Sequence, residues 1–296
     1  MTESTHYSGF VAIIGAPNVG KSTLLNRILR QKVAITSAKP QTTRHRILGV
    51  WTTPNSQVIF LDTPGIHQAD NLLNQVLLRQ ALSTLSDADL ILFMVEPDRR
   101  QKDHELVLKA LKNQDRPIIL AFNKIDLIKK KDLLPWMERY SRELPLAALV
   151  PISALTGEGL PVLLEEIVKQ LPEGPEYYPP DTITDQPERF IAAEMIREQV
   201  FNLTRQEIPY STAVTIEEFN EDRSDLVRIK AVIHVERNSQ KGIIIGKKGE
   251  MLKRIGSAAR QDIERLTGTR VFLELFVRVE KNWSQDRRAI RRLGYR

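Results

Sequence analysis

The chain has 296 residues and contains no cysteine. The absence of cysteine excludes disulfide bonds, cysteine-ligated zinc and catalysis by a thiol. Long apolar runs are also absent, because the longest strongly apolar stretches are residues 90–95 and 118–122, whereas a membrane-spanning helix needs ~20 such residues. No basic segment followed by an apolar core opens the sequence, so we expect no secretory signal peptide. These absences together favour a cytoplasmic protein.

Charge is unevenly distributed along the sequence. The whole chain carries a net charge of +6, but residues 241–296 alone hold 15 Lys and Arg against 6 Asp and Glu, a net of +9. Residues 1–184 are close to neutral, and residues 185–240 are acidic. A basic block at one end of a chain is the footprint expected for a polyanionic partner, either RNA or an anionic membrane surface.

The first 171 residues alternate short apolar segments with helical patterns, which indicates an α/β domain. Six segments predict strands, at residues 10–14, 47–51, 58–61, 90–95, 118–122 and 149–152. Turn-forming residues between the second and third segments predict an antiparallel hairpin. Helical patterns separate the remaining strands, so we expect an open, mostly parallel six-stranded sheet covered on both faces. In such sheets ligands bind at the carboxyl ends of the strands.

The composition changes after residue 171. Residues 172–181 contain four prolines, so we expect a semi-rigid linker over 172–187. A second domain is predicted over 188–296, with its elements in the order α-β-β-α-α-β. It would begin with a helix from residue 188, and its last helix and strand would lie near 250–266 and 271–279.

Residues 15–22 match the pattern G-x-x-x-x-G-K-[ST], directly after a predicted strand and at a helix start. Glycines in this pattern let successive backbone N–H groups point at phosphate oxygens, and the helix N-terminus adds positive potential. Lys21 would reach the β- and γ-phosphates, and Ser22 would bind Mg²⁺. The predicted nucleotide contacts are Gly15, Ala16, Pro17, Asn18, Val19, Gly20, Lys21, Ser22 and Thr23.

A second motif closes the predicted strand 58–61, at the sheet edge where the phosphates would lie. Asp62 would hold Mg²⁺ through water, and the Gly65 N–H would contact the γ-phosphate. The predicted contacts here are Asp62, Thr63, Pro64, Gly65 and Ile66. Lys21 and Gly65, together with a threonine before the second strand, are the residues expected to act on the reacting phosphate.

Two further segments select the base. The carboxylate of Asp126 would accept hydrogen bonds from guanine N1–H and the exocyclic amine, a donor pair that adenine lacks. Lys124 would pack on the ring, and Asn123 would tie its loop to the phosphate loop. The segment Ser153, Ala154 and Leu155, after the last strand, would place a backbone N–H near guanine O6. The sequence therefore predicts GTP rather than ATP.

The sequence leaves open which threonine completes the metal shell and which group positions water. Thr42 and Thr43 both stand where a threonine would bind Mg²⁺ and report the γ-phosphate. We favour Thr43 because it lies nearer the strand. Ile66 stands where Ras-like proteins carry a water-positioning glutamine, so we expect slow intrinsic hydrolysis. A monovalent cation such as K⁺ near Asn18, a polar loop residue or a partner would then assist.

The second domain carries a G-x-x-G loop between two helical patterns. Such a loop is typical of KH domains, where it follows a nucleic-acid backbone. Residues 281–293 are predicted to form a basic helix. Its apolar residues Trp283, Ile290 and Leu293 would pack this helix against the rest of the domain. The predicted RNA contacts are Gly246, Lys247, Lys248, Gly249, Lys253, Arg287, Arg288 and Arg291.

Taken together, the motifs at 15–22, 41–44, 62–65, 123–126, 153–155 and 246–249, with the tail, resemble the Era family of ribosome-associated GTPases over nearly the whole chain. The resemblance implies a Ras-like G domain followed by a type II KH domain. It implies binding of GTP or GDP, and of small-subunit (16S) ribosomal RNA near its 3′ end. It further implies a role in 30S subunit maturation, coupling between nucleotide and RNA, and peripheral association with the membrane. We expect a monomer.

Two alternatives remain open from the sequence. The second domain could dock a protein or a lipid surface, with the G-x-x-G loop serving only as a turn. A tRNA-modifying GTPase is disfavoured, because the sequence has no catalytic cysteine or cofactor motif beyond the nucleotide site.

Overall fold

The computed structural model describes residues 5–37, 39–97, 101–112 and 114–295. It divides into two compact units. The first comprises the chain before residue 35 together with 43–70 and 77–185, and the second comprises 35–42, 71–76 and 186–296. Within the described residues no helix is long and apolar enough to cross a bilayer.

The first unit is built on a six-stranded sheet, as predicted. Its strands are β1 (Tyr7–Gly15), β2 (Ile47–Thr53), β3 (Ser56–Asp62), β4 (Leu90–Val95), β5 (Ile118–Phe122) and β6 (Leu146–Pro151). They lie in the order β2-β3-β1-β4-β5-β6. Only β2 is antiparallel to its neighbour, and it pairs with β3 in the predicted hairpin. β4 and β5 are buried along their whole length, because helices cover both faces.

Among the described residues up to 171, five segments form α-helices. They are α1 (Lys21–Leu29), α2 (Leu72–Ser83), α3 (Gln101–Leu111), α4 (Leu134–Glu143) and α5 (Leu160–Gln170). α5 buries Leu160, Leu163 and Ile167, the i, i+3, i+7 spacing of one helix face. β6 begins three residues earlier than predicted, and as an edge strand it is only partly buried.

The proline-rich segment pairs with the sheet of the first unit. The buried side chain of Gln57 accepts hydrogen bonds from the backbone N–H groups of Tyr177 (2.7 Å) and Tyr178 (2.9 Å). Further along, the N–H of Val50 on β2 donates to the carbonyl of Ile183 at 2.8 Å. Backbone groups at residues 177, 178 and 183 of this segment are therefore hydrogen-bonded to the sheet of the first unit. A proline-rich composition alone gives no sign of such pairing.

The second unit has the predicted order α-β-β-α-α-β. Its elements are α6 (Glu188–Leu203), β7 (Ala213–Arg223), β8 (Leu226–Val235), α7 (Asn238–Ile245), α8 (Glu250–Thr267) and β9 (Arg270–Val279). β8 is central, antiparallel to β7 and parallel to β9. α8 buries Ile255, Ala259 and Ile263, which share one core with residues of α6 and the sheet.

The basic tail docks as expected but contains a shorter helix, α9 (Arg287–Arg292). Trp283 is completely buried, its indole N–H donates to the carbonyl of Ser211 at 2.9 Å, and its ring stacks on Tyr295 at 5.7 Å. Ile290 and Leu293 are buried as well. These contacts fix the tail on the second unit and leave the arginines of α9 exposed.

Candidate functional site

The loop between β1 and α1 has the geometry of a phosphate-binding loop. Gly20 adopts a φ of 100°, and a Cβ atom there would lie 2.3 Å from the Asn123 amide nitrogen, so glycine is required on both grounds. A Cβ on Gly65 would lie 2.7 Å from the Cα of Pro17. The backbone of the 62–66 motif therefore passes directly against the loop, where a γ-phosphate would be contacted.

Lys21 lies inside this loop. Its side chain is buried, and Nζ donates to the carbonyl oxygens of Gly15 (3.2 Å) and Ala16 (3.0 Å). Burial lowers the pKa of Lys21 to about 8, and the nearby Asp62 carboxylate partly opposes that shift. A bound phosphate would bring the negative charge that a buried ammonium favours. The buried ammonium group of Lys21 is therefore positioned to bind an anion inside the loop.

Three oxygen-bearing side chains meet beside the loop. Ser22 Oγ donates to Asp62 Oδ2 at 2.6 Å and lies 2.8 Å from Thr43 Oγ1. The other carboxylate oxygen, Oδ1 of Asp62, is buried without a hydrogen-bond partner among the described residues. Burial raises the pKa of Asp62 to about 6, against the lowering effect of Lys21 and of hydrogen bonds from Ser22 and the Thr63 N–H. One carboxylate with two hydroxyls fits Mg²⁺, which takes few protein oxygens alongside phosphate and water.

The two adjacent threonines have different surroundings. The hydroxyl of Thr42 donates to the carbonyl of Lys39 at 2.8 Å, within a local turn. The hydroxyl of Thr43 lies at the Ser22 hydroxyl. This geometry favours Thr43 as the metal ligand.

Ile66 is buried in the core of the first unit, where it shares a cluster with Ile14 and Phe93. Its N–H donates to the Gly15 carbonyl at 3.1 Å, and its aliphatic side chain cannot orient a water molecule. The next residue, His67, is polar, and its Nδ1 lies 2.9 Å from the Gly65 carbonyl oxygen. Sequence reasoning did not single out His67, although a histidine directly after Ile66 could have been noticed.

Asn123 joins three loops. Its amide nitrogen donates to the carbonyl of Val19 at 2.7 Å, and its amide oxygen accepts from the N–H of Ala154 at 2.8 Å. The phosphate loop, the 123–126 loop and the 153–155 loop are therefore locked together by one side chain. Asp126 is exposed at the edge of this assembly, so its carboxylate is accessible from solvent.

Lys124 and Leu155 complete this edge. Lys124 adopts a φ of 64° and forms an ion pair with Glu96, a residue that sequence reasoning missed. The ion pair sets the direction of the lysine side chain, whose stem would cover the base. Leu155 is 68% exposed beside the loop, and its carbonyl accepts a hydrogen bond from Arg27. Ser153 and Ala154 are buried beneath it.

The G-x-x-G loop of the second unit has a tightly defined backbone. Gly246 has a φ of 73°, and a Cβ there would lie 2.7 Å from that of Met251. Lys247 and Lys248 are exposed at the start of α8, where the helix dipole also favours anions. Lys253 on α8 is exposed as well, as are Arg287, Arg288 and Arg291 on α9. The predicted RNA contacts are thus all accessible cations or loop glycines.

Two protein-family models match this chain, one in each of its two parts. A family model described as 50S ribosome-binding GTPase matches residues 10–124, and one described as KH domain matches residues 207–284. The chain is 54% identical over 296 residues to GTPase Era of Geotalea uraniireducens (strain Rf4), covering 100% of both chains. It is 55% identical over 290 residues to GTPase Era of Syntrophus aciditrophicus (strain SB), covering 97% of this chain and 95% of that protein.

Two solved structures are similar over almost the whole chain. One is Era in complex with MgGDPNP and nucleotides 1506–1542 of 16S ribosomal RNA, with a TM-score of 0.94 and 44% identity, covering 98% of this chain and 99% of that one. The other is a single-residue variant of Aquifex aeolicus Era bound to GDP·AlF₄⁻, with a TM-score of 0.93 and 44% identity over the same shares.

Proposed function

Because this chain belongs to the Era family of GTPases, we propose that it uses GTP to control its binding to small-subunit ribosomal RNA during 30S assembly. Its enzymatic activity is GTP hydrolysis. The observation that carries the proposal is the combination on one chain of the Asn123-locked nucleotide loops and the lysine-bearing Gly246–Gly249 turn.

Magnesium is the metal that the phosphate site would use. Ser22, Thr43 and Asp62 would hold it, with Asp62 acting through water. The bound metal would neutralise charge on the phosphate oxygens as the bond to the leaving oxygen breaks. The chain's own groups supply the rest: Lys21 and the Gly65 N–H contact the γ-phosphate, while the remaining N–H groups of the loop follow the phosphate chain. The relative solved with MgGDPNP supports this assignment.

Hydrolysis without assistance is slow on this proposal. The buried Ile66 leaves no side chain at its position that could orient the attacking water. Potassium near Asn18, which is exposed on the loop with a φ of 65°, would supply additional positive charge. Single-turnover hydrolysis in potassium and in sodium tests this: a higher rate in potassium supports it, and equal rates that are already fast contradict it.

The RNA-binding part follows from charge and access. Lys247 and Lys248 lie between Gly246 and Gly249, which both adopt positive φ, and both lysines are exposed on this turn. A relative solved with nucleotides 1506–1542 of 16S ribosomal RNA supports the 3′ end of that RNA as the target. Crosslinking to total cellular RNA, with and without a non-hydrolysable GTP analogue, tests the proposal. Recovery of RNA from elsewhere, or of none, would contradict it.

We further propose a functional division into a nucleotide-binding part (1–171), a connecting segment (172–187) and an RNA-binding part (188–296). Monomeric state, a cytoplasmic location and peripheral contact with the membrane stay predictions. Docking to a protein or lipid surface is the competing function of the second unit. On that competing function, docking would be unaffected by the loss of Lys247 and Lys248.

A further inference from the structure

The three-stranded sheet of the second unit has two faces with different surroundings. Leu273, Leu275 and Val277 of β9 pack against the core that the sheet shares with α6, α7 and α8. The residues between them point to the opposite face, because successive side chains of a strand alternate. We call this opposite face the outer face. It carries Arg270, Phe272, Glu274, Phe276 and Arg278 of β9 and their register partners on β8, which are Leu226, Arg228, Lys230, Val232 and His234.

Two large aromatic side chains are exposed on the outer face. Phe272 is 53% exposed and Phe276 is 46% exposed. Both belong to the edge strand β9, where their positions are about 13 Å apart along the strand. A single exposed apolar side chain is ordinary, whereas two rings on the same face form a patch that a partner would cover.

Basic side chains surround the two rings. Arg228 is the register partner of Phe272 and is exposed. Nζ of Lys230 lies over the ring of Phe276, 5.2 Å from its centre. Arg270 and Arg278 are exposed on β9 itself, one before Phe272 and the other after Phe276. Each ring therefore has positive charge close to it.

Carboxylates lie on this face as well. Glu274 lies between the two rings in the sequence of β9, Glu218 of β7 is the register partner of Lys230, and Glu217 pairs with Arg278 at 3.1 Å. The charges of the three strands alone are therefore nearly balanced.

The tail adds positive charge at one end of the outer face. Nδ1 of His234, the last β8 residue on that face, lies 3.2 Å from a carboxylate oxygen of Glu280. Glu280 also pairs with Arg292 of α9, so α9 borders the outer face. The other three arginines of α9 are exposed too. Cations therefore outnumber carboxylates over the sheet face and the adjoining helix.

Aromatic rings exposed among cations suit single-stranded RNA better than a protein surface. Bases of a single strand stack on aromatic side chains while their phosphates contact Lys and Arg, and sheets with exposed aromatic residues use this mode of binding. The core of a protein–protein interface is instead depleted in charged residues. Glu274 fits the same occupant, because a carboxylate accepts a hydrogen bond from the exocyclic amine of cytosine.

We propose that the outer face is a second contact surface for single-stranded RNA, on which bases stack on Phe272 and Phe276 and the neighbouring cations bind phosphates. The proposal rests on the proposed RNA-binding function of the second unit and extends it. The Gly246–Gly249 loop joins α7 to α8, which pack on the other face of the sheet. A strand that contacts both the loop and the outer face must pass around an edge of the sheet, so only a longer strand can do so.

The test uses the full-length chain with a GTP analogue and Mg²⁺, and compares F272L/F276L with the matched control F272Y/F276Y. Leucine keeps an apolar side chain without the ring, whereas tyrosine keeps the ring. Affinity is measured for two single-stranded probes from the 3′ end of small-subunit ribosomal RNA. One is a tetranucleotide, the length that a G-x-x-G loop clamps, and the other has about 16 nucleotides.

We expect F272L/F276L to bind the longer strand at least about tenfold more weakly than the unaltered chain, because two stacking contacts are lost. F272Y/F276Y should bind it like the unaltered chain, and all three proteins should bind the tetranucleotide equally. Undiminished binding of the longer strand by F272L/F276L would overturn the proposal, and is the result expected if a protein covers this face. An equal loss for the tetranucleotide would also overturn it, because the rings would then belong to the contact made by the loop.

If F272L/F276L does not fold, R228Q/K230Q gives the same comparison, with the loss again confined to the longer strand. Failure of the proposed function is distinguishable, because the unaltered chain would then bind neither strand.

Discussion

Ser22 Oγ lies 2.6 Å from Oδ2 of Asp62, although 40 positions separate the two residues in the sequence. The contact arises because β1 and β3 are parallel neighbours, so the loops that leave their carboxyl ends meet. One loop supplies the hydroxyl and the other the carboxylate. This pair is the basis of the metal site and of the first prediction.

Replacing Asp62 with Asn should lower Mg²⁺-dependent GTP hydrolysis by about 100-fold or more, because the metal contributes several kcal/mol of charge stabilisation that a neutral amide holds poorly. Single-turnover hydrolysis across a Mg²⁺ titration measures the effect. Asp89, whose carboxylate instead accepts from the Phe10 N–H, provides a control as D89N. A D62N variant that hydrolyses GTP at the unaltered rate would contradict the assignment.

Replacing Asp126 with Asn should change the base preference. Guanine presents two donors to a carboxylate, whereas an asparagine amide can donate to the 2-oxo group of xanthine. We expect GTP affinity to fall by about 100-fold or more, with a gain for xanthosine triphosphate. Competition binding with the two nucleotides measures the change. Equal loss for both nucleotides would mean that Asp126 supports the loop rather than reading the base.

Replacing Lys247 and Lys248 with Asp should abolish binding to a 3′-terminal small-subunit RNA segment and leave GTP hydrolysis without RNA unchanged. Two phosphate contacts are lost, and the two new carboxylates repel the RNA backbone. The matched control is K109D/K112D, which reverses two exposed lysines of the first unit. Equal RNA affinity in both variants would favour the competing interpretation, in which the second unit docks a protein or membrane.

His234 should make the second unit sensitive to acid. Burial, reinforced by Arg278 and Arg292, lowers the pKa of His234 to about 4, so the folded state binds fewer protons than the unfolded state between that pH and 6.5. The free energy of unfolding should therefore be retained above about pH 6.5 and fall by on the order of 2–3 kcal/mol as the pH drops to 4. Denaturant unfolding of the unaltered chain and of H234Q measures it. An identical pH slope in both would refute the contribution of this side chain.

Much of the nucleotide site could be predicted from the sequence because each motif follows a strand whose apolar run is easy to see. The loop before Lys21, the turn after Asp62 and the loop at Asn123 all leave the same sheet edge. Parallel pairing brings them together without further information. The choice between Thr42 and Thr43 needed side-chain geometry, since adjacent residues share the same sequence context.

Other features had no sequence signal. Glu96 pairs with Lys124 across a gap of 28 residues, and an isolated carboxylate after a strand has no distinctive pattern. The prolines after residue 171 suggested a linker, whereas Gln57 binds that segment to the sheet through backbone groups that any sequence possesses. Arg197 on α6 is buried and donates a hydrogen bond to the carbonyl of Thr42, yet the helical pattern of the sequence does not single it out. Its burial against Thr42 depends on the path of a segment 155 residues away.

The most direct test of the central claim is the affinity of the unaltered protein for a 3′-terminal small-subunit RNA segment, measured at one salt concentration in three states. The states are nucleotide-free, bound to GDP, and bound to a non-hydrolysable GTP analogue with Mg²⁺. If GTP controls RNA binding, affinity in the analogue state should differ from that in the GDP state by about tenfold or more, the usual range for coupled sites. Equal affinities in all three states would contradict the account.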